Sequence, residues 1–89
     1  MIINDKEKSY LVEEITWNND EQDYENEEQY WDLNGVDAMK KIADYLVRHP
    51  NAEDATGVYC EDEDGMFIAM REKDENGNEY WLEAYCFNK

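Results

Sequence analysis

Carboxylates are the only reactive groups this chain holds in quantity: 24 aspartates and glutamates against one histidine and two cysteines. They could bind a hard cation, run acid–base hydrolysis, or imitate a phosphate backbone. A calcium loop of the EF-hand kind needs oxygen ligands at its first, third, fifth and twelfth places and glycine at the sixth. Setting Gly65 at the sixth place puts Cys60 first and Arg71 last, which excludes that loop. Setting Gly77 there gives Glu72, Asp74, Asn76 and Glu83, but strand-like runs flank it where helices are required. Asn76-Gly77 reads instead as a hairpin turn, since both positions tolerate positive φ. No metal or other cofactor is expected; the run Glu61-Asp62-Glu63-Asp64 offers nonspecific divalent binding at most. For hydrolysis, two carboxylates need environments that push their pKa values apart, and spacing selects no pair among so many. His49 stands beside Pro50 at a helix end, where capping or exposure explains it, and Ser9 is the only serine. With no phosphate-binding glycine loop and no zinc-ligand set, the chain is expected not to be an enzyme.

The third chemistry fits a particular stretch. Between Ser9 and Met39 there is no lysine or arginine, while Glu13, Glu14, Asp20, Glu21, Asp23, Glu25, Glu27, Glu28, Asp32 and Asp37 all fall inside it. Trp17, Tyr24, Tyr30 and Trp31 are threaded among them. Charge alone would read as a solvated tail; large rings can anchor such a segment to a core or to a partner. Proteins that bind duplex DNA meet about one negative charge per 1.7 Å of axis with Lys/Arg clefts. Spaced carboxylates on a rigid surface can occupy such a cleft with fast, steered association, and aromatic anchors convert attraction into affinity. The expected partner-binding residues are Asp20, Glu21, Asp23, Tyr24, Glu25, Glu27, Glu28, Tyr30 and Asp32. Glu61, Asp62, Glu63 and Asp64 form a second patch.

Composition sets the sign of that partner. The net charge of -16 on 89 residues argues against direct contact with nucleic acid or an anionic membrane, both of which call for basic patches. A basic protein surface is expected, belonging to a nucleic-acid-binding protein or nuclease complex. No apolar run can span a bilayer, and the N-terminal residues lack a signal-peptide core, so a cytoplasmic location is expected. Cys60 and Cys86 are too few for a disulfide framework and read as reduced core thiols.

Small, strongly acidic chains with rings among their carboxylates resemble the anti-defence proteins of phages and mobile elements, such as anti-CRISPR proteins and antirestriction proteins of the ArdA type. Tyr30-Trp31-Asp32-Leu33 leading into a helix capped at Asn34 is similar to the strand-to-helix step of the ArdA type. The resemblance implies DNA mimicry: inhibition of a nucleic-acid-binding defence enzyme by occupying its basic surface in the host cytoplasm. Two other functions are open on the residues alone. One is an immunity protein for a basic toxin nuclease. The other is a small structural or divalent-cation-binding protein, dimerising through an exposed sheet edge.

The elements that must position these groups follow from periodicity. Residues 1–8 read as a loose lead-in to a single domain spanning 1–89. Ser9 to Trp17 suits a first strand. Residues 18–27 read as an acidic loop or marginal helix, because helical like-charge pairs Glu21/Glu25 and Asp23/Glu27 would each cost ~0.2–0.5 kcal/mol. Glu28 to Leu33 follows as a second strand, with Trp31 and Leu33 on one face. Val36, Met39, Ile42, Ala43, Leu46 and Val47 recur at helical spacing and predict a helix resting on that stripe. Asn34 caps it, Asp37 holds the acidic place of the capping box, and Pro50 ends it. Strands are expected at Gly57 to Cys60, Met66 to Arg71 and Glu79 to Phe87. The predicted class is α+β, in the order β-β-α-β-β-β, with one antiparallel sheet of about five strands packed against one helix.

Overall fold

The computed structural model describes residues 7–59 and 64–88. Its elements are β1 (Lys8–Asn18), β2 (Asp23–Leu33), α1 (Gly35–Arg48), β3 (Glu53–Asp54), α2 (Thr56–Tyr59), β4 (Met66–Lys73) and β5 (Glu79–Asn88). The five strands form one sheet in the order β2-β1-β5-β4-β3, with every neighbouring pair antiparallel. The expected α+β architecture is therefore present. Residues 1–6 of the anticipated lead-in lie outside the described residues, and Lys8 already belongs to β1.

Helix α1 crosses one face of the sheet above β1. Asn34 Oδ1 accepts from the Asp37 amide at 2.7 Å, satisfying one of the orphan donors of the first turn. The His49 amide donates to Tyr45 O at 2.8 Å, after which Pro50 has no amide to continue the ladder. The buried side of the helix is Gly35, Ala38, Ile42 and Tyr45. This corrects the predicted stripe: Val36, Met39, Leu46 and Val47 are exposed, Val47 by 81%. Gly35 and Ala38 let the helix backbone approach the sheet closely, and Tyr45, 1% exposed, fills the space opened further along. One large ring outweighs several smaller aliphatics because it removes more area from water. Val12 from β1 and Leu82 and Ala84 from β5 complete this core, with Tyr10, Tyr30, Leu33, Ala52, Ile68 and Met70 around it.

A smaller cluster occupies the other face, where Ala55, Met66 and Ala69 pack with Tyr85. It explains a second correction. The strand expected at 57–60 is helical through Tyr59, and Cys60 lies outside the described residues. Asp54 Oδ1 accepts from the Thr56 amide at 2.8 Å, ending β3 after two residues and starting a turn, as aspartate side chains commonly do. The Thr56 hydroxyl then bridges the Ala69 amide and carbonyl at 3.2 and 3.4 Å, tying α2 to β4. Cys86 is free and half-buried.

Both hairpin tips sit at one end of the sheet and are joined there. Asp74 organises the β4–β5 turn: Oδ1 accepts from the Asn76 and Asn78 amides at 2.9 and 3.0 Å. Its Oδ2 accepts from Asn78 Nδ2 at 3.0 Å and the Tyr80 hydroxyl at 3.2 Å. Desolvation pushes the Asp74 pKa up, but these donors together hold it below its ordinary value. Asn19, from the β1–β2 turn, donates its amide to Asn78 Oδ1 at 2.9 Å and its Nδ2 to Asn76 O at 3.0 Å.

The anticipated acidic loop at 18–27 is therefore corrected to a short turn, with strand resuming at Asp23. At the ~3.3 Å rise of a strand, residues four apart stand roughly 13 Å from each other, so the i,i+4 repulsion that counted against a helix is relieved.

Candidate partner-binding edge

Strand β2 is an edge strand, bonded to β1 alone, and every residue from Asp23 to Gln29 is exposed. Of the expected site residues, Asp20 and Glu21 lie in the preceding turn, and Asp23, Tyr24, Glu25, Glu27, Glu28, Tyr30 and Asp32 lie along β2 itself. The structure thus brings all nine to one border of the molecule. It divides them between two faces. Trp17 pairs with Tyr24 and Ile15 with Glu27 on the helix-free face, whereas Glu14 pairs with Glu28 and Val12 with Tyr30 on the face under α1.

Two irregularities in the β1–β2 register shape this edge. The first makes Glu25 an extra residue, which lets Tyr24 turn edge-on to Trp17 with ring centroids 5.1 Å apart. The second holds Asp32 at φ +56 and resets the alternation. Trp31 consequently points out, 56% exposed, while Leu33 turns into the core. This corrects the expectation that Trp31 and Leu33 share a face. The Trp31 indole N–H donates to Gln29 Oε1 at 3.2 Å, and the ring borders a shallow cleft with Ser9, Asp32, Phe87 and Asn88.

On the helix side, the Tyr30 hydroxyl donates a short hydrogen bond to Glu28 Oε2, and Lys41 Nζ lies 3.9 Å from the centroid of the Tyr30 ring. The bond from Tyr30 holds the Glu28 carboxyl below its ordinary pKa. In return the Glu28 carboxylate pushes the Tyr30 hydroxyl up to about 12. Because the folded value is raised, this contact stabilises the fold fully below the ordinary tyrosine range and is lost as pH rises through about 12. An alkaline titration followed by tyrosinate absorbance should show a late step that Glu28→Gln moves down toward about 10. A late step unmoved by that substitution would show that Glu28 is not its cause.

Asp64 belongs elsewhere. It precedes Gly65, whose carbonyl accepts from the Cys86 amide at 2.8 Å, at the end of the sheet opposite Asp20 and Glu21. Glu61, Asp62 and Glu63 lie outside the described residues. Asp64 is thus remote from the β1–β2 turn, and of the first patch only Asp32 lies at its end of the sheet.

One grouping was not legible from spacing. His49 is half-buried between the rings of Tyr45 and Tyr80, at 4.4 and 5.2 Å, with Nδ1 2.9 Å from Glu72 Oε2. His49 does cap α1, through its backbone amide to Tyr45 O; the exposed reading is corrected by the ring stack, which docks the end of α1 onto β4 and β5. Both ring faces are occupied, so the arrangement reads as packing. Arg48 beside it bonds Glu14 Oε1 at 2.7 Å. Glu72 and Glu83, two of the four residues weighed as a calcium loop, lie on opposite sheet faces: Glu72 meets His49 under the helix, and Glu83 borders the cleft of Ile15, Tyr24, Ala69 and Trp81. Among the described residues no helix is long and apolar enough to cross a membrane. Comparison with protein-family models, curated proteins and solved structures finds no match to this chain.

Proposed function

We propose that this chain is a non-enzymatic acidic inhibitor that occupies a cation-lined, nucleic-acid-handling surface of a partner protein. It would be carried by a phage or mobile element against a host defence nuclease and act in the host cytoplasm. The observation that supports this reading is the β2 edge, an extended row of carboxylates with an exposed ring near each end, Tyr24 at 62% and Trp31 at 56%. From Asp23 to Asp32 the strand runs nine steps, ~30 Å at the usual rise. Five carboxylates over that length give roughly one per 6 Å, sparser than the one per ~1.7 Å of duplex DNA. Charge density alone would therefore lose to nucleic acid. Affinity has to come from the rings once the charges have steered the encounter. Edge strands also carry charge to block pairing with other sheets; that need is met by acids on any strand and does not call for exposed tryptophan and tyrosine beside them.

The test is capture from host lysate with a tagged chain, washed at low and then moderate salt, beside the variant Glu21→Lys/Glu25→Lys/Glu27→Lys. All three side chains are exposed, so the fold should persist, and lower self-repulsion should leave its melting temperature equal or higher. Expected is one nuclease-type complex that survives the wash and binds the variant about 100-fold more weakly. Unimpaired binding by the variant, or a broad set of basic proteins that all wash off, would overturn the proposal.

A further inference from the structure

Most of the aliphatic side chains of α1 are left exposed, beside the charged Asp37, Lys40, Asp44 and Arg48. Val36, Met39, Ala43 and Leu46 follow one another at steps of three, four and three, the spacing of a narrow helix–helix seam, and Val47 adjoins them. None of this lies at the acidic edge. Lys41 reaches Tyr30 on β2 and Arg48 reaches Glu14 on β1, which fixes that flank of the helix toward β2. Met39 and Leu46, 40% and 38% exposed, project from the opposite flank, toward β5 and β4. There the bulge at Phe67 turns that ring onto the helix face, where it meets Tyr10 edge-on with centroids 6.1 Å apart while staying 36% exposed.

Charge identifies what covers this strip. Lys41 and Arg48 are taken up on the flank toward β2, which leaves Lys40 against Asp44 beside the strip and no net charge there, while the whole chain carries -16. The basic partner of the acidic edge is not attracted here. A second copy of the chain fits instead, because this is where two strongly acidic molecules can meet without opposing their carboxylates. We propose that the chain forms a twofold dimer through α1, the two helices antiparallel. A twofold axis passing near Ile42 brings Lys40 of each copy opposite Asp44 of the other, an isologous pair of ion pairs beside the apolar seam. Ala43 close to the axis lets the backbones approach. Both β2 edges then face outward, so the dimer does not compete with the proposed inhibitory surface.

Sedimentation equilibrium of the full chain from about 1 to about 300 μM, a range in which moderate dimers dissociate, tests this in moderate salt. Expected is twice the chain mass at the upper end. Val36→Glu/Val47→Glu should sediment as a monomer with an unchanged circular dichroism spectrum, since both side chains are already exposed. Lys40→Asp and Asp44→Lys should each weaken the dimer about tenfold by opposing like charges across the axis. The double variant should recover the original constant, which a merely structural effect would not do. A monomer at every concentration, or a dimer indifferent to Val36→Glu/Val47→Glu, would overturn the proposal; so would a charge exchange that restores nothing. A dimer that responds only to substitutions on the β2 edge would assign the contact to the sheet edge instead.

Discussion

Leu82→Ala should cost about 3–5 kcal/mol and leave a large share of the protein unfolded at 37 °C. Leu82 is fully buried at the centre of β5, beneath Ile42 and Tyr45 and beside Val12. It sits between β1 and β4, opposite Glu14 and Met70, so neither the helix nor the strands can collapse into the space without breaking hydrogen bonds. A cavity that cannot close carries both the lost transfer energy and the lost contacts. The domain has little to spare: at ~0.05–0.15 kcal/mol per residue its stability is roughly 4–13 kcal/mol, and self-repulsion from -16 charges draws on the same margin. Urea denaturation in moderate salt would measure the loss. A change below about 1 kcal/mol would mean that this core is loosely packed.

Gly77→Ala should cost about 2–3 kcal/mol, a large loss for a change in a surface turn. Gly77 lies at φ +83, and a Cβ there would stand 2.8 Å from Asn19 Nδ2 and 3.0 Å from Asn19 Cγ. Left-handed backbone costs a residue with a Cβ roughly 1–2 kcal/mol. The remainder comes from displacing the Asn19 side chain, which gives up its bond to Asn76 O. The two parts separate by experiment. Asn19→Ala with Gly77 retained should lose only the hydrogen-bond share, about 1 kcal/mol, and Gly77→Ala in that background should lose the conformational share alone. Additive losses for the pair would show that the two residues are not coupled.

Much of the architecture was legible. Asn34, Asp37 and Pro50 bound α1, Asn76-Gly77 marks the β4–β5 turn, and the strand-helix order follows from the changes in apolar period. The rotation of α1 was not, because hydropathy ranks valine and leucine above tyrosine and glycine, whereas packing on a sheet rewards close approach and ring area. The Asp32 bulge was hidden for a different reason. A strand's alternation can be read only if no residue is added, and nothing in Trp31-Asp32-Leu33 announces a positive φ at aspartate beyond that residue's modest tolerance for it. The border formed by the nine site residues could be foreseen as a segment. Its division between two faces depends on the register with β1, which is a property of two strands and cannot be read from one.

The sheet order has a consequence for how the acidic edge comes into being. Strand β2 is hydrogen-bonded to no strand but β1, and the other side of β1 is bonded to β5, the last strand of the chain. A β1–β2 hairpin alone has no apolar layer beneath it, and isolated two-stranded hairpins are marginal in water. Until β5 arrives, the carboxylates of Asp23 to Asp32 ride on a segment without a fixed shape. The loop-closure entropy of pairing strands some seventy residues apart must be met before any burial rewards it. The charged border is therefore a late product of folding, made rigid by a strand that carries none of it.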